Sequence, residues 1–209
     1  MLHISHLNKS YGQLPVLDIR EFHLSQGLYW MKGPNGAGKS TFFKCISGTI
    51  PFKGDCQIDE VSIKEQPVEY RSKVSYCEAE PEFPEFLTQK DLIAFVAKAR
   101  NASQKQIDHL QEVLGTVDYQ TQPVGTYSSG MLKKTGLLLA FLGEPKLIVL
   151  DEPFTAIDHN SVDNLIQLVD EYRSESGTTF LVSSHIDSGH YHLSFDHVYK
   201  IENKEIKEA

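Results

Sequence analysis

The chain has 209 residues, 40% of them hydrophobic and 23% charged, with a formal net charge of -8. That length suits one well-buried domain, alone or with an inserted subdomain, and is too short for two large independent ones. The acidic balance argues against a basic nucleic-acid-binding stripe, no apolar run approaches the roughly 20 residues of a membrane-spanning helix, and the polar start lacks a signal-peptide core, so a cytoplasmic location is expected.

Leu2, Ile4 and Leu7, then Val16, Leu17, Ile19, Phe22 and Leu24, read as short strands broken at Tyr11-Gly12 and Gln26-Gly27. They open the domain with a small β layer. Leu28-Tyr29-Trp30-Met31 is a further strand, which enters a glycine-rich loop and then a helix from Phe42 to Ser47. A strand pair falls around residues 52–63 and another strand at 73–77, before an acidic, proline-rich stretch at 78–84 that breaks regular structure.

Thr88-Gln89-Lys90-Asp91 and Ser103-Gln104-Lys105-Gln106 both fit capping boxes, each leading into apolar residues at helical spacing. From Tyr127 the pattern alternates: a helix to Leu142, a buried strand from Leu147 to Leu150, a helix near Ser161 to Arg173 and a strand from Thr179 to Ser183. Such alternation predicts an α/β fold with a mostly parallel core sheet and crossover helices. The expected division is a core of residues 1–80 and 126–209 with an N-terminal antiparallel β layer, and an inserted helical subdomain at 81–125. Cys45, Cys56 and Cys77 are odd in number and widely spaced, so they are expected to be reduced, buried thiols, neither a disulfide framework nor a zinc site.

The loop Gly33, Pro34, Asn35, Gly36, Ala37, Gly38, Lys39, Ser40 and Thr41 fits G-x-x-x-x-G-K-[ST] between a strand and a helix. In this pattern backbone N–H groups wrap phosphates, the lysine reaches the β and γ phosphates, and the hydroxyl, here that of Ser40, binds Mg²⁺. The apolar strand ending in Asp151-Glu152 supplies a pair of carboxylates. In a P-loop protein the strand beside the phosphate loop delivers such an aspartate to Mg²⁺, which assigns Asp151 to the metal, and a carboxylate one residue later can polarise the attacking water, which assigns Glu152 as the base.

Between these motifs lies Tyr127-Ser128-Ser129-Gly130-Met131, ahead of a helix; after them come Ala156-Ile157-Asp158 and, behind a strand, Ser184-His185. In this order they resemble the signature, D-loop and switch histidine of ABC (ATP-binding cassette) ATPases. The resemblance covers the chain from about Tyr11 to His185. It implies that Ser128, Ser129, Gly130 and Asp158 close over ATP held by an opposing subunit, that His185 contacts the γ-phosphate or holds the water in line, and that Tyr11 stacks on adenine.

Two departures accompany the resemblance. Ala79 falls where the family keeps a glutamine near Mg²⁺ and the water, leaving Glu78 or Glu80 as candidate substitutes. The signature reads Y-S-S-G-M, a form similar to single-domain bacterial ATPases of export systems. The resemblance thus implies a P-loop ATPase of the ABC fold, using ATP and Mg²⁺, peripheral at the inner membrane face through a separate integral membrane permease, and paired with a second copy or a second cassette. No nucleic-acid partner and no lipid anchor are expected. Two other readings stay open: a soluble ABC ATPase that serves something other than transport, and a nucleotide-sensing module with weak hydrolysis.

Overall fold

Both N-terminal strands carry their apolar residues on alternating positions that change parity partway along, from Leu2 and Ile4 to Leu7 and from Leu17 and Ile19 to Phe22 and Leu24. In the computed structural model, which describes residues 1–184 and 193–209, this parity change has a visible cause. His6 adopts a left-handed backbone (φ 53°), and the ladder between β1 (Leu2–Tyr11) and β4 (Lys53–Ile58) shifts register between Ser5 and Asn8. Across that bulge Gly54 lies so close to the His6 carbonyl that a Cβ there would sit 2.1 Å from its oxygen, so only glycine fits. β2 (Leu14–Leu24) pairs antiparallel with β1, and β5 (Val61–Ser62) completes a four-stranded sheet of order β2-β1-β4-β5.

The second sheet has six strands in the order β10-β9-β3-β8-β7-β6. β3 (Leu28–Lys32), β6 (Val74–Cys77), β7 (Leu147–Asp151), β8 (Thr179–Ser183) and β9 (His197–Glu202) run parallel, and β10 (Glu205–Glu208) folds back on β9 as an antiparallel edge. Residues of β3, β7 and β8 alternate between two apolar clusters. Trp30, Ile148, Leu150, Phe180 and Val182 face the helices, whereas Tyr29, Met31, Leu147, Val149 and Leu181 face α1 (Lys39–Ile46) and the antiparallel sheet. Burial on both faces is why these strands read as continuous apolar runs.

One expectation is corrected by this order. β7, which carries the two carboxylates, does not lie beside β3, which feeds the glycine-rich loop; β8 stands between them. Each βα crossover adds its strand on the side its right-handed turn permits, and the sequence gives no direct sign of that placement. The three strands nevertheless end level, since Ser183 is the register partner of both Met31 and Asp151.

The helices obey their caps. Thr88 and Asp91 close a reciprocal capping box on α3 (Gln89–Arg100). Ser103 caps α4 (Gln104–Val113) by accepting from Gln106 N, but the return bond is absent. The Gln106 amide instead donates to Gly143 O and Tyr172 Oη, both at 2.8 Å, and accepts from Gly143 N, tying α4 to the turn after α5 (Ser129–Phe141) and to α6 (His159–Ser176). Ile93, Ala97, Ile107, Leu110 and Leu114 join the same apolar cluster as the helix-facing side of the core sheet. A short helix, α2 (Pro67–Lys73), leads directly into β6; the sequence reading left it out, as it did the β9–β10 hairpin. All three cysteines are buried and free, and burial raises the thiols of Cys45 and Cys56 to about 12 and that of Cys77 to about 11.

Candidate functional site

The loop between β3 and α1 turns back on itself, with Ala37 N donating to Pro34 O at 3.2 Å, and its glycine-permissive turns set the entry to α1. Gly38 is the N-cap of α1 with φ 106°, and a Cβ there would meet Leu17 Cδ2 at 3.1 Å, so both conformation and space select glycine. Lys39, the first residue of the helix, is nearly buried. Its ammonium donates to Gly33 O at 2.7 Å and Pro34 O at 3.3 Å. Burial pushes it below the ordinary lysine range, opposed by the negative field of Glu152 and Asp151. The loop thus holds a cation at the positive end of a helix, where anions are favoured.

Opposite stands the end of β7. Asp151 accepts a 2.5 Å hydrogen bond from Ser183 Oγ and a longer one, 3.4 Å, from Tyr76 Oη. The next residue, Glu152, has a left-handed backbone (φ 46°), a conformation that costs a non-glycine residue roughly 1–3 kcal/mol. It is held by bonds from Glu152 N to Ser183 O (3.1 Å) and Ser183 Oγ (3.2 Å), and from Thr155 Oγ1 to Glu152 O (2.8 Å). Ser183, at the end of the intervening β8, therefore fixes both carboxylate-bearing residues at once. A cleft of about 400 Å³ joins the two halves, lined among others by Asn35, Lys39, Ser40, Thr41, Asp151 and Glu152. Ser40 and Asp151 are hard oxygen donors of the kind Mg²⁺ takes.

Ala79 also lines this cleft. The two candidate substitutes do not: Glu78 forms a 2.7 Å salt bridge with Lys44 on α1, and Glu80 is exposed. The segment is held instead by a residue the sequence reading overlooked. Lys133, on α5 and 1% exposed, donates to Glu78 O (2.8 Å), Ala79 O (3.0 Å) and Asp151 O (2.8 Å). Burial lowers its basicity, while Cys77, Asp151, Glu152 and Glu80 oppose that shift. A signal was present: Lys133 lies three, four and seven residues before the buried Gly136, Leu137 and Ala140, so a charge occupies a core-facing helical position.

Other predicted residues lie apart from the cleft. Tyr11 stands at the end of β1, 52% exposed, with Lys9 Nζ 4.9 Å from its ring centroid. Ser128 caps α5 through Met131 N, and Ser129 and Gly130 form its first turn. Asp158 caps α6 and pairs with Lys134 at 2.9 Å, bonds that hold its carboxyl well below the usual range. His185 lies outside the described residues.

The start of α5 and the turn before α6 also touch. A Cβ on Gly130 would sit 2.6 Å from Ala156 O. Gly130→Ala should therefore destabilise the fold by about 1–3 kcal/mol, because the clash is with backbone and outweighs the roughly 1 kcal/mol gain in helix propensity. A denaturant midpoint equal to or above wild type would refute that contact.

The sequence pattern of the family described as ABC transporter matches residues 18–155. A lantibiotic transport ATP-binding protein, SrtF, of Streptococcus pyogenes is 31% identical over 195 residues, covering 93% of this chain and 84% of SrtF. The cytochrome c biogenesis ATP-binding export protein CcmA of Legionella pneumophila is 31% identical over 205 residues, covering 92% of this chain and 100% of CcmA. Among solved structures, an ATP binding subunit of an ABC transporter superposes with a TM-score of 0.88 at 26% identity, over 100% of this chain and 89% of that one. With the phosphate loop, the paired carboxylates and the two-sheet architecture already in place, this chain belongs to the ABC transporter family as one of its ATP-binding proteins.

Proposed function

We propose that the chain binds Mg-ATP in the cleft at the head of α1 and hydrolyses it to move a substrate, by export, through a separate integral membrane permease. The observation that carries this reading is the meeting of Lys39, Ser40, Asp151 and Glu152 in one cleft, although they come from motifs far apart in the chain. The export relative CcmA supports the direction. Among the described residues no helix is long and apolar enough to cross a membrane, so a place at the inner membrane face would come through the permease.

The assigned roles follow from position. Backbone N–H groups of the 33–41 loop, except at Pro34, which has none, and the Lys39 ammonium take the phosphate oxygens. Ser40 and Asp151 would hold Mg²⁺, which supplies charge neutralisation on the phosphates. Glu152 accepts a proton from water as the water oxygen bonds to the terminal phosphorus and ADP leaves. Tyr11 stacks on adenine. Ser128, Ser129, Gly130 and Asp158, which line no part of their own cleft, would face ATP bound to a second copy or a second cassette, and His185 would contact the γ-phosphate.

Lys39→Ala tests the site directly. Loss of one charge-assisted contact, worth about 1.5–3 kcal/mol, should weaken nucleotide binding about 10- to 150-fold in equilibrium dialysis. Unchanged affinity would place the nucleotide elsewhere and overturn the reading. Co-purification with a multi-span membrane chain is the corresponding check on the permease.

A further inference from the structure

We propose a second metal site, for a borderline transition cation such as Zn²⁺, on the outer face of the antiparallel sheet, formed by His3, Glu21 and His23. This surface lies on the opposite face of β1 and β2 from the buried Leu2, Ile4, Phe22 and Leu24, and its ligands are not those of the nucleotide cleft. His3 and His23 are direct register partners across β1 and β2, and Glu21 lies two positions along on the same face. A two-residue step along a strand returns to the same side, so three donors stand together without any irregular backbone.

The donors already converge. His23 Nε2 lies 3.0 Å from Glu21 Oε1, and His3 Nε2 lies 3.8 Å from the same oxygen. The two imidazoles are stacked, 4.2 Å between centroids and 8° from parallel, which turns both Nε2 atoms towards one carboxylate. One ligand atom from each residue falls within 4.8 Å of the other two. In a tetrahedral zinc site, with metal–ligand distances near 2.0–2.2 Å, donors stand about 3.3–3.6 Å apart. Small rotations of these partly exposed side chains cover the difference.

Ligand chemistry fixes the class of ion. Two imidazoles and one carboxylate suit Zn²⁺, Cu²⁺ or Ni²⁺, whereas Mg²⁺ prefers an all-oxygen shell such as Ser40 and Asp151 offer. Three protein ligands leave a coordination position open to water. Because the ligands come from both strands, a bound ion would staple β1 to β2 near Leu2 and Leu24, at the end of the sheet remote from Tyr11.

The test uses full-length protein without a histidine tag and Zn²⁺ itself, titrated against a chromogenic chelator. One equivalent should bind at micromolar or lower concentration, Zn²⁺ should raise the melting temperature, and excess Mg²⁺ should not compete. His3→Ala and His23→Ala should each weaken binding about tenfold or more, since even groups outside the ligand shell act on that scale. Glu21→Gln should weaken it as well. The three variants should keep wild-type Mg-dependent ATPase activity, which separates failure of this site from failure of the nucleotide cleft. Should a variant not fold, Cu²⁺ added to the wild-type protein should broaden NMR signals of residues 3, 21 and 23 first. Binding only at millimolar Zn²⁺, affinity indifferent to both histidine substitutions, or broadening centred elsewhere would overturn the proposal.

Discussion

Glu152→Gln is expected to lower steady-state ATP hydrolysis about 10²- to 10⁴-fold while leaving nucleotide affinity near wild type. The substitution keeps the shape of the side chain and removes only the carboxylate that would take the proton from water, and general-base catalysis contributes on that scale. The backbone argues that geometry survives the change. Glu152 is fixed through its own N–H and carbonyl, by Ser183 and Thr155, and neither set of bonds involves the side chain. Phosphate release and equilibrium nucleotide binding, measured on the same preparation, check the two halves of the expectation. Retention of more than about a tenth of the hydrolysis rate, well outside that range, would remove Glu152 from the role of base.

Lys133→Met should be the most damaging substitution for stability outside the apolar core. Methionine matches the length of the lysine stem but withdraws the donors from Glu78 O, Ala79 O and Asp151 O. Losing its partner costs a buried carbonyl such as Asp151 O about 1–3 kcal/mol and the part-buried Glu78 O and Ala79 O less, and relief from burying an ammonium offsets part of the sum. A net loss of about 3 kcal/mol is expected. For a chain of this length that is a melting temperature lower by about 6–12 °C. Hydrolysis should fall with it, because the segment holding Ala79 and the strand end holding Asp151 would lose their common tie. Lys133→Gln, with two amide donors, should recover part of both losses. A Met variant as stable as wild type would show that these three bonds contribute nothing net.

Much of the core was legible because its physics is local. Gly38 must be glycine on two counts, and Asp151 follows four apolar residues that the sheet buries on both faces, so the loop and the acid pair could be read directly from the chain. Thr88 and Asp91 likewise announce α3 through a bond pattern contained in four residues. What was missed depends on long-range placement. That β8 separates β3 from β7 follows from crossover geometry, and so the part played by Ser183, an ordinary serine at the end of an apolar strand, could not be seen. Gln106 looked like the second half of a capping box because the motif is local, whereas three partners at residues 141, 143 and 172 outcompete it for the amide. α2 is short and mostly polar outside, with Tyr70 its one buried residue, too little periodicity to stand out.

The close approach of Gly130 to Ala156 and the Lys134–Asp158 ion pair join the first two turns of α5 to the segment ahead of α6 within one molecule. Stretches of sequence on either side of β7 thereby travel together. A second subunit arriving at this surface would meet a contour fixed before contact, with little side-chain or loop freedom left to lose on association. Of the two ties, the backbone approach of Gly130 to Ala156 would then set that contour more firmly than the Lys134–Asp158 pair, since an exposed ion pair contributes only about 0.2–1 kcal/mol.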